Sequence, residues 1–307
     1  MEDHKMFLDD AIKEMKGDIG TVIDAISKGA RTISTHLSFR VGLTEKLNPF
    51  GERQAELDIY SNDLFTKALL STGVVGQVAS EEMEEPKTSG LDPDSSISVA
   101  MDPIDGSSNI TTNNSLGSIF GIWRGPLPQR GSEQIASAFV TYGPTLSITF
   151  TTGKNVDQYI ESRGGEHSGR FIASYKSMKL PEKGEVYGFG GLRSEWIPGV
   201  ERYVSGLEDR KFKLRYGGTF IGDYNQILQK GGIFSYPALK GKPDGKFRLN
   251  YEASPVSLIT LAAGGYSSNG RGSILDIEPD SLTQTTPLYT GNRNLVEELE
   301  AELAREK

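Results

Sequence analysis

Apolar residues recur at three- and four-residue steps from the start of the chain: Phe7, Leu8, Ile12, Met15, Ile19, Val22, Ile23, Ile26, Ala30 and Ile33. That spacing lays one apolar stripe along a helix, so residues from about 6 to 37 are expected to be helical with one face buried. The Gly17-Asp18 pair interrupts the stripe, and two helices are expected there, the second capped by Asp18. A similar stripe of Leu57, Phe65, Leu69 and Leu70 runs through AELDIYSNDLFTKALLS. Both stripes read as packing surfaces rather than sites.

The period then changes. VVGQVAS, SISVAM, GSIFGIW, ASAFVTYG and TLSITFTTG are short, rich in β-branched or aromatic residues and bounded by turn residues, as strands are. With TTGKNVDQYIES alternating like a hairpin, they predict a large, mainly antiparallel sheet with helices on one side. Past a composition change near Pro181 to Gly184 the pattern is mixed. EVYGFGG and FRLNYEA read as strands and VERYVSGLE as a helix, while GDYNQILQKGGIFSYPAL reads as a helix stopped at Gly231-Gly232 and followed by a strand. PVSLITLAAG reads as a helix from its proline to Gly264, and NLVEELEAELAREK as an exposed C-terminal helix. The expected class is α+β, with residues 1–183 as one domain and 184–307 as a second, mixed α/β half.

The 307 residues are 36% hydrophobic and 24% charged, the mixture of a soluble globular protein able to bury a core. A net charge of −8 carries no footprint for nucleic acid or an anionic membrane. No apolar run approaches the length of a span, and MEDHKMFLDD lacks the pattern of a signal peptide, so the expected location is cytoplasmic. The absence of cysteine excludes disulfides, thiolate metal sites and thiol-based control.

Chemistry concentrates where two expected strands end, at Glu81 and Glu82 in VASEEMEE and at Asp102 and Asp105 in VAMDPIDGSS. Carboxylates and a main-chain carbonyl are the hard oxygen ligands that Mg²⁺ prefers. Pro103 stiffens the segment, so that both aspartates and the Ile104 carbonyl could converge on one ion. Taken singly, EEMEEP is a solvated acidic loop and Asp-Pro or Asp-Gly an ordinary turn. Their position directly after apolar strands favours a site. Gly106-Ser107-Ser108-Asn109 follows, small residues whose N–H and hydroxyl groups can wrap a phosphate, or simply cap a helix. Later in the chain ALKGKPDGKFR places Lys240, Lys242, Lys246 and Arg248 together, either a second anion anchor or a solvated basic loop.

In order, Glu-Glu followed by Asp-Pro-Ile-Asp-Gly-Ser-Ser resembles the metal-dependent, lithium-sensitive sugar and inositol phosphatase superfamily. LDIYSNDLF, VASEE, DPIDGSSN, IFGIW, LRYGG, GGIFSYPA, GKFRLNYEASP and AGGYSS together resemble its class I fructose-1,6-bisphosphatase family. The resemblance implies a layered αβαβα fold and cleavage of the 1-phosphate of fructose 1,6-bisphosphate, a gluconeogenic step. It also implies two or three divalent ions per subunit, Mg²⁺ with Mn²⁺ as the alternative. It places metal ligands on Glu81, Glu82, Asp102, the Ile104 carbonyl, Asp105 and Glu252. Glu52 and Asp58 take the places of two acids that position and help deprotonate the attacking water, Glu52 standing where the family usually has aspartate. Asp58 and Glu82 would relay the proton, and Gly106, Ser107 and Ser108 would hold the departing phosphate. Lys246, Tyr216 and Tyr236 are implied ligands of the sugar and distal phosphate, with Arg248 near the metals. Arg215 would serve a neighbouring subunit's site, which implies a homodimer or homotetramer.

Two departures qualify the match. GFGGLRSE stands where the family has an NEG segment, leaving Arg193 to supply charge and sedoheptulose 1,7-bisphosphatase as the alternative reading. Gly20 and Ser96-Ile97 stand where AMP-inhibited members have a threonine and a Lys-Tyr pair, so that route of inhibition is expected to be weak or absent. An inositol-type monophosphatase would leave the basic patch without a purpose, and a non-catalytic relative would have lost metal acids.

Overall fold

The computed structural model describes residues 6–15, 17–39, 42–49, 51 and 53–305. The opening stripe forms α1 (Leu8–Glu14) and α2 (Ile19–His36). Gly17 separates them at a φ of +78°, which glycine adopts without a steric penalty. Asp18 sits at the N-cap of α2 but makes no side-chain cap bond; its carboxylate lies 3.4 Å from Arg124 instead. The small hairpin β1 (Leu43–Leu47) and β2 (Arg53–Ala55) leads into α3 (Glu56–Leu70), which packs along α2.

Eight strands follow: β3 (Val75–Ser80), β4 (Lys87–Thr88), β5 (Ile97–Asp105), β6 (Leu116–Arg124), β7 (Ala136–Tyr142), β8 (Leu146–Thr151), β9 (Val156–Glu161) and β10 (Phe171–Tyr175). They form one sheet in the order β10-β9-β8-β7-β6-β5-β3-β4. Every neighbouring pair is antiparallel except β3 and β5, which run parallel. The second half contributes β11 (Val186–Phe189), α4 (Pro198–Asp209), β12 (Lys213–Leu214), α5 (Phe220–Lys230), β13 (Gly232–Tyr236) and β14 (Phe247–Arg248). It continues with α6 (Ser254–Ala262), β15 (Tyr266–Ser268), β16 (Thr285–Thr286), β17 (Leu288–Gly291) and α7 (Arg293–Ala304). A mixed second sheet runs β12-β11-β13-β17-β15.

The layers follow from which side chains share a core. Side chains alternate between the faces of a strand, so adjacent residues enter different cores. Phe120 and Val140 face α2 and α3, whereas their neighbours Ile119 and Phe139 face α5 and α6. The far side of α5 and α6 covers the second sheet through Phe234 and Leu288. Tyr187, Ile233 and Tyr289 on that sheet's outer face pack under α4 and α7. The result is the layered αβαβα arrangement. Helices lie on both faces of the large sheet rather than on one, because both alternating sets of its central strands are buried, one of them apolar and the other small or hydroxyl-bearing around Ile119 and Phe139.

Three other expectations change in detail. The Asp102–Asp105 segment is not a turn beyond a strand; it is the end of β5, still paired to β6 across a register shift between Asp102 and Asp105 that accommodates Pro103. Of FRLNYEA only Phe247–Arg248 is strand, and Leu249–Ala253 coils as a π-helical turn into α6. The C-terminal helix is amphipathic, with Leu295, Val296 and Leu299 buried.

The α2–α3 crossing depends on a missing side chain. A Cβ on Gly29 would lie 2.6 Å from the ring of Phe65, which is buried edge-on against Phe120. Gly29→Val should therefore destabilise by about 1–3 kcal/mol, read as a fall in melting temperature of roughly 2–4 °C per kcal/mol. Gly206→Ala on α4, where a Cβ meets nothing within 4 Å, is the control and should be neutral or slightly stabilising. Equal melting temperatures for wild type and Gly29→Val would show that the helices are not this close.

Candidate active site

Because β3 and β5 are parallel, their C-terminal ends lie side by side, and Ser80 pairs with Met101. The next residues, Glu81 and Asp102, are thereby neighbours; the Glu81 N–H donates to the Met101 carbonyl at 3.2 Å. Glu252 reaches the same place from the π-helical turn of the second half. One carboxylate oxygen from each of Glu81, Asp102 and Glu252 lies within 4.8 Å of the others, and all three residues are buried. The buried Arg248 guanidinium stands 3.3 Å from Glu81 and 3.7 Å from Glu252. The Arg248 N–H also donates to Glu252 at 2.7 Å, which draws the chain into its turn.

Burial pushes the Asp102 carboxyl well above the usual carboxylate range, and the charges of Glu81, Asp105 and Glu252 push it further against the pull of Arg248. Asp105 is raised to about 7, chiefly by burial, although it accepts the N–H groups of Phe220 (3.3 Å) and Ile221 (2.6 Å). Those N–H groups open α5, so a carboxylate from β5 satisfies the first turn of a helix in the other half. Asp102 likewise accepts the Ile104 N–H at 3.0 Å. Asp58, buried in the first turn of α3, accepts the Ala55 N–H at 2.7 Å. Glu82 takes a hydrogen bond from the Gln54 amide.

After Asp105 the chain turns at Gly106, whose φ is +80°, and forms a short 3-10 turn at Ser107–Asn109. A Cβ on Gly106 would meet Thr219 Oγ1 at 2.5 Å, so a side chain is excluded twice over, by conformation and by space. Asn109, given no task by the sequence, donates to the carbonyls of Gly217 (3.0 Å) and Ser115 (3.3 Å) and to the Thr219 hydroxyl.

The acids, Arg248 and Gly106 to Ser108 line one cleft of about 490 Å³, which also takes in Tyr216, Tyr236 and Lys246. Lys246 Nζ lies 5.4 Å from the centre of the Tyr236 ring, a cation–π distance. The Tyr216 hydroxyl is pushed up to about 12, first by burial and then by neighbouring Tyr236 and Asp223. Of the basic run only Lys246 and Arg248 line the cleft; Lys240 and Lys242 are exposed, with Lys240 bound to the Ser194 carbonyl. Arg193 brings no charge here, since it pairs with Glu201 and Glu208 on α4. Arg215 is exposed, with its guanidinium on the Leu214 carbonyl, and it does not line this cleft. Glu52 lies outside the described residues. The cleft therefore gathers every other expected site residue, and adds Thr219 and Asp223.

A class 1 fructose-1,6-bisphosphatase of Natronomonas pharaonis is 40% identical over 290 residues, 94% of this chain and 100% of the relative. Residues 4–176 match the family model described as the N-terminal domain of fructose-1-6-bisphosphatase, and 180–304 match its C-terminal domain. The chain belongs to the class 1 fructose-1,6-bisphosphatase family. The Geobacter sulfurreducens member is 40% identical over 256 residues, covering 83% of this chain and 80% of its own. The crystal structure of Leishmania major fructose-1,6-bisphosphatase in holo form superposes with a TM-score of 0.91 at 30% identity, over 99% of this chain and 100% of that one. A Toxoplasma gondii structure bearing the sedoheptulose-1,7 bisphosphatase name, at a TM-score of 0.88 and 24% identity, shares the fold alone.

For a fructose-1,6-bisphosphatase the acid cluster makes physical sense. Four carboxylates, Glu81, Asp102, Asp105 and Glu252, line a cleft with one buried guanidinium, and their mutual repulsion is what a divalent cation relieves. Oxygen donors of this kind fit a hard ion.

That charge imbalance sets a pH dependence. Asp105 has a folded value of about 7 against an ordinary 3.8, so between those values the folded state holds more protons than the unfolded one, and stability falls as pH rises. The metal-free protein should melt lower at about pH 8 than at about pH 6, and added Mg²⁺ should recover the difference. Asp102→Asn should raise the metal-free melting temperature at the higher pH, by roughly 2–4 °C per kcal/mol of repulsion removed, and abolish the Mg²⁺ shift. A lower melting temperature, or a retained Mg²⁺ shift, would contradict the assignment.

Proposed function

We propose that this chain hydrolyses the 1-phosphate of fructose 1,6-bisphosphate, giving fructose 6-phosphate and phosphate. The observation that carries the reading is a single cleft lined both by the buried acids with the Gly106 turn and by Lys246 with Tyr216 and Tyr236. A bisphosphate needs an anchor for each phosphate, and a cation with two hydroxyl donors is a metal-free one.

Glu81, Glu82, Asp102, the Ile104 carbonyl, Asp105 and Glu252 would hold two or three Mg²⁺ ions, with Mn²⁺ as the substitute. Ions there supply charge neutralisation of the phosphate oxygens and a lower pKa for an attacking water. The rest of the work falls to the chain. Asp58 and Glu82, with Glu52, orient the water and take its proton. The Ala55 N–H and the Gln54 amide already fix two of those carboxylates for the task. Gly106, Ser107 and Ser108 offer N–H and hydroxyl donors to the departing phosphate, and Arg248 adds a positive charge between the acids and the sugar.

In this reading residues 1–183 carry the scissile phosphate and the metal ligands other than Glu252, and 184–307 carry the sugar and supply Glu252. Arg215, exposed directly after the edge strand β12 of the second sheet, serves a neighbouring subunit's cleft in a homodimer or homotetramer. The enzyme works in the cytoplasm; among the described residues no helix is long and apolar enough to cross a membrane.

Phosphate release in Mg²⁺ should be fastest from fructose 1,6-bisphosphate, slower from sedoheptulose 1,7-bisphosphate and negligible from inositol 1-phosphate. Lys246→Ala should raise KM for the bisphosphate about tenfold or more, the scale of one charge-assisted contact. Equal turnover of inositol 1-phosphate, or a Lys246→Ala variant with unchanged KM, would remove the second anchor from the account.

A further inference from the structure

Gly217 is held at both ends of its backbone by side chains from opposite halves of the protein. Its N–H donates to both carboxylate oxygens of Asp223, each at 2.8 Å, and the Gly218 N–H faces the same carboxylate. Its carbonyl accepts from Asn109 at 3.0 Å and from Asn114 at 2.9 Å. Asp223 lies in the first turn of α5, whereas Asn109 ends the turn that follows Gly106. The fit is close. A Cβ on Gly217 would stand 3.3 Å from Asp223 Oδ1 and 3.6 Å from Asn114 Nδ2, and Gly218, at a φ of +81°, backs onto Asn109 Oδ1. Tyr216, the preceding residue, lines the cleft, as do Gly218, Thr219 and Asp223 itself.

A buried carboxylate gains nothing by facing a glycine loop unless that loop must be kept in one place, because desolvating it is costly. We infer that Asp223, with Asn109 and Asn114, forms a latch that fixes Tyr216 relative to the Gly106 turn. The latch sets the distance between the two phosphate anchors. Asp223 is thus a positioning residue, acting through Gly217, and selects for a substrate with two phosphates. The inference rests on the reading of the cleft as a sugar bisphosphate site.

The experiment compares Asp223→Ala, Asp223→Asn and Asn109→Ala on fructose 1,6-bisphosphate and on p-nitrophenyl phosphate, which lacks the second phosphate, with amide exchange followed over residues 213–220. Asp223→Ala should speed exchange at residues 216–218 about tenfold while α5 stays protected. It should raise KM for the bisphosphate about tenfold with kcat within about threefold, and leave kcat/KM for p-nitrophenyl phosphate within about twofold. Asp223→Asn, which keeps one acceptor oxygen, should fall between. The Asn109→Ala/Asp223→Ala double variant should cost little more than the worse single one, as for two halves of one latch. Unchanged exchange, or equal losses on both substrates, would overturn the latch. Should Asp223→Ala fail to fold, the exposed Asn114→Ala decides: a smaller KM rise of the same kind supports the latch and an unchanged KM overturns it. If the wild type turns over p-nitrophenyl phosphate but not the bisphosphate, the functional reading fails, and the exchange measurement still decides the latch.

Discussion

Glu81, Asp102, Asp105 and Glu252 share one cleft with a single buried guanidinium, and the rest of the site is arranged around that unbalanced charge. Burial and mutual repulsion make these acids hard to ionise together, a cost that water would otherwise cancel. Such a cluster persists in a fold because something else is meant to bind there, and divalent cations with phosphate oxygens meet the requirement. The site is therefore a place where stability is given up for function.

The sheet explains how the acids meet. In a purely antiparallel sheet the neighbouring ends of β3 and β5 would point to opposite edges. The one parallel pair puts two C-terminal ends together, and Glu81 and Asp102 become neighbours by register alone. The third acid arrives because the Glu252 carboxylate takes the Arg248 N–H and bends the chain off its strand. Asp105 ties the cluster to α5, and Asn109 and Asp223 tie the turn beyond it to the loop carrying Tyr216. The acid cluster, the Gly106 turn and the loop carrying Tyr216 thus sit on one connected polar framework.

Much of this was legible in the sequence, because helical and strand periods are local signals. The stripes of α2 and α3 and the central strands of the large sheet follow from spacing alone. FRLNYEA misleads because Phe247, Leu249 and Tyr251 alternate as in a strand, while the force that coils the segment is one carboxylate reaching back four residues. The basic run reads as one patch, yet side-chain direction divides it into Lys240 and Lys242 outside and Lys246 and Arg248 inside. Glu252 became visible only through resemblance to the family. Asn109 and Asp223 carry no local mark at all, since what they bind is the backbone of Gly217, which for Asn109 is 108 positions away.

The most direct test of the central claim is phosphorus NMR of fructose 1,6-bisphosphate incubated with the enzyme and Mg²⁺. The account predicts that the 1-phosphate resonance converts to inorganic phosphate, that the 6-phosphate resonance survives as fructose 6-phosphate, and that a chelator stops the conversion. Loss of the 6-phosphate, or hydrolysis undiminished by the chelator, would contradict it.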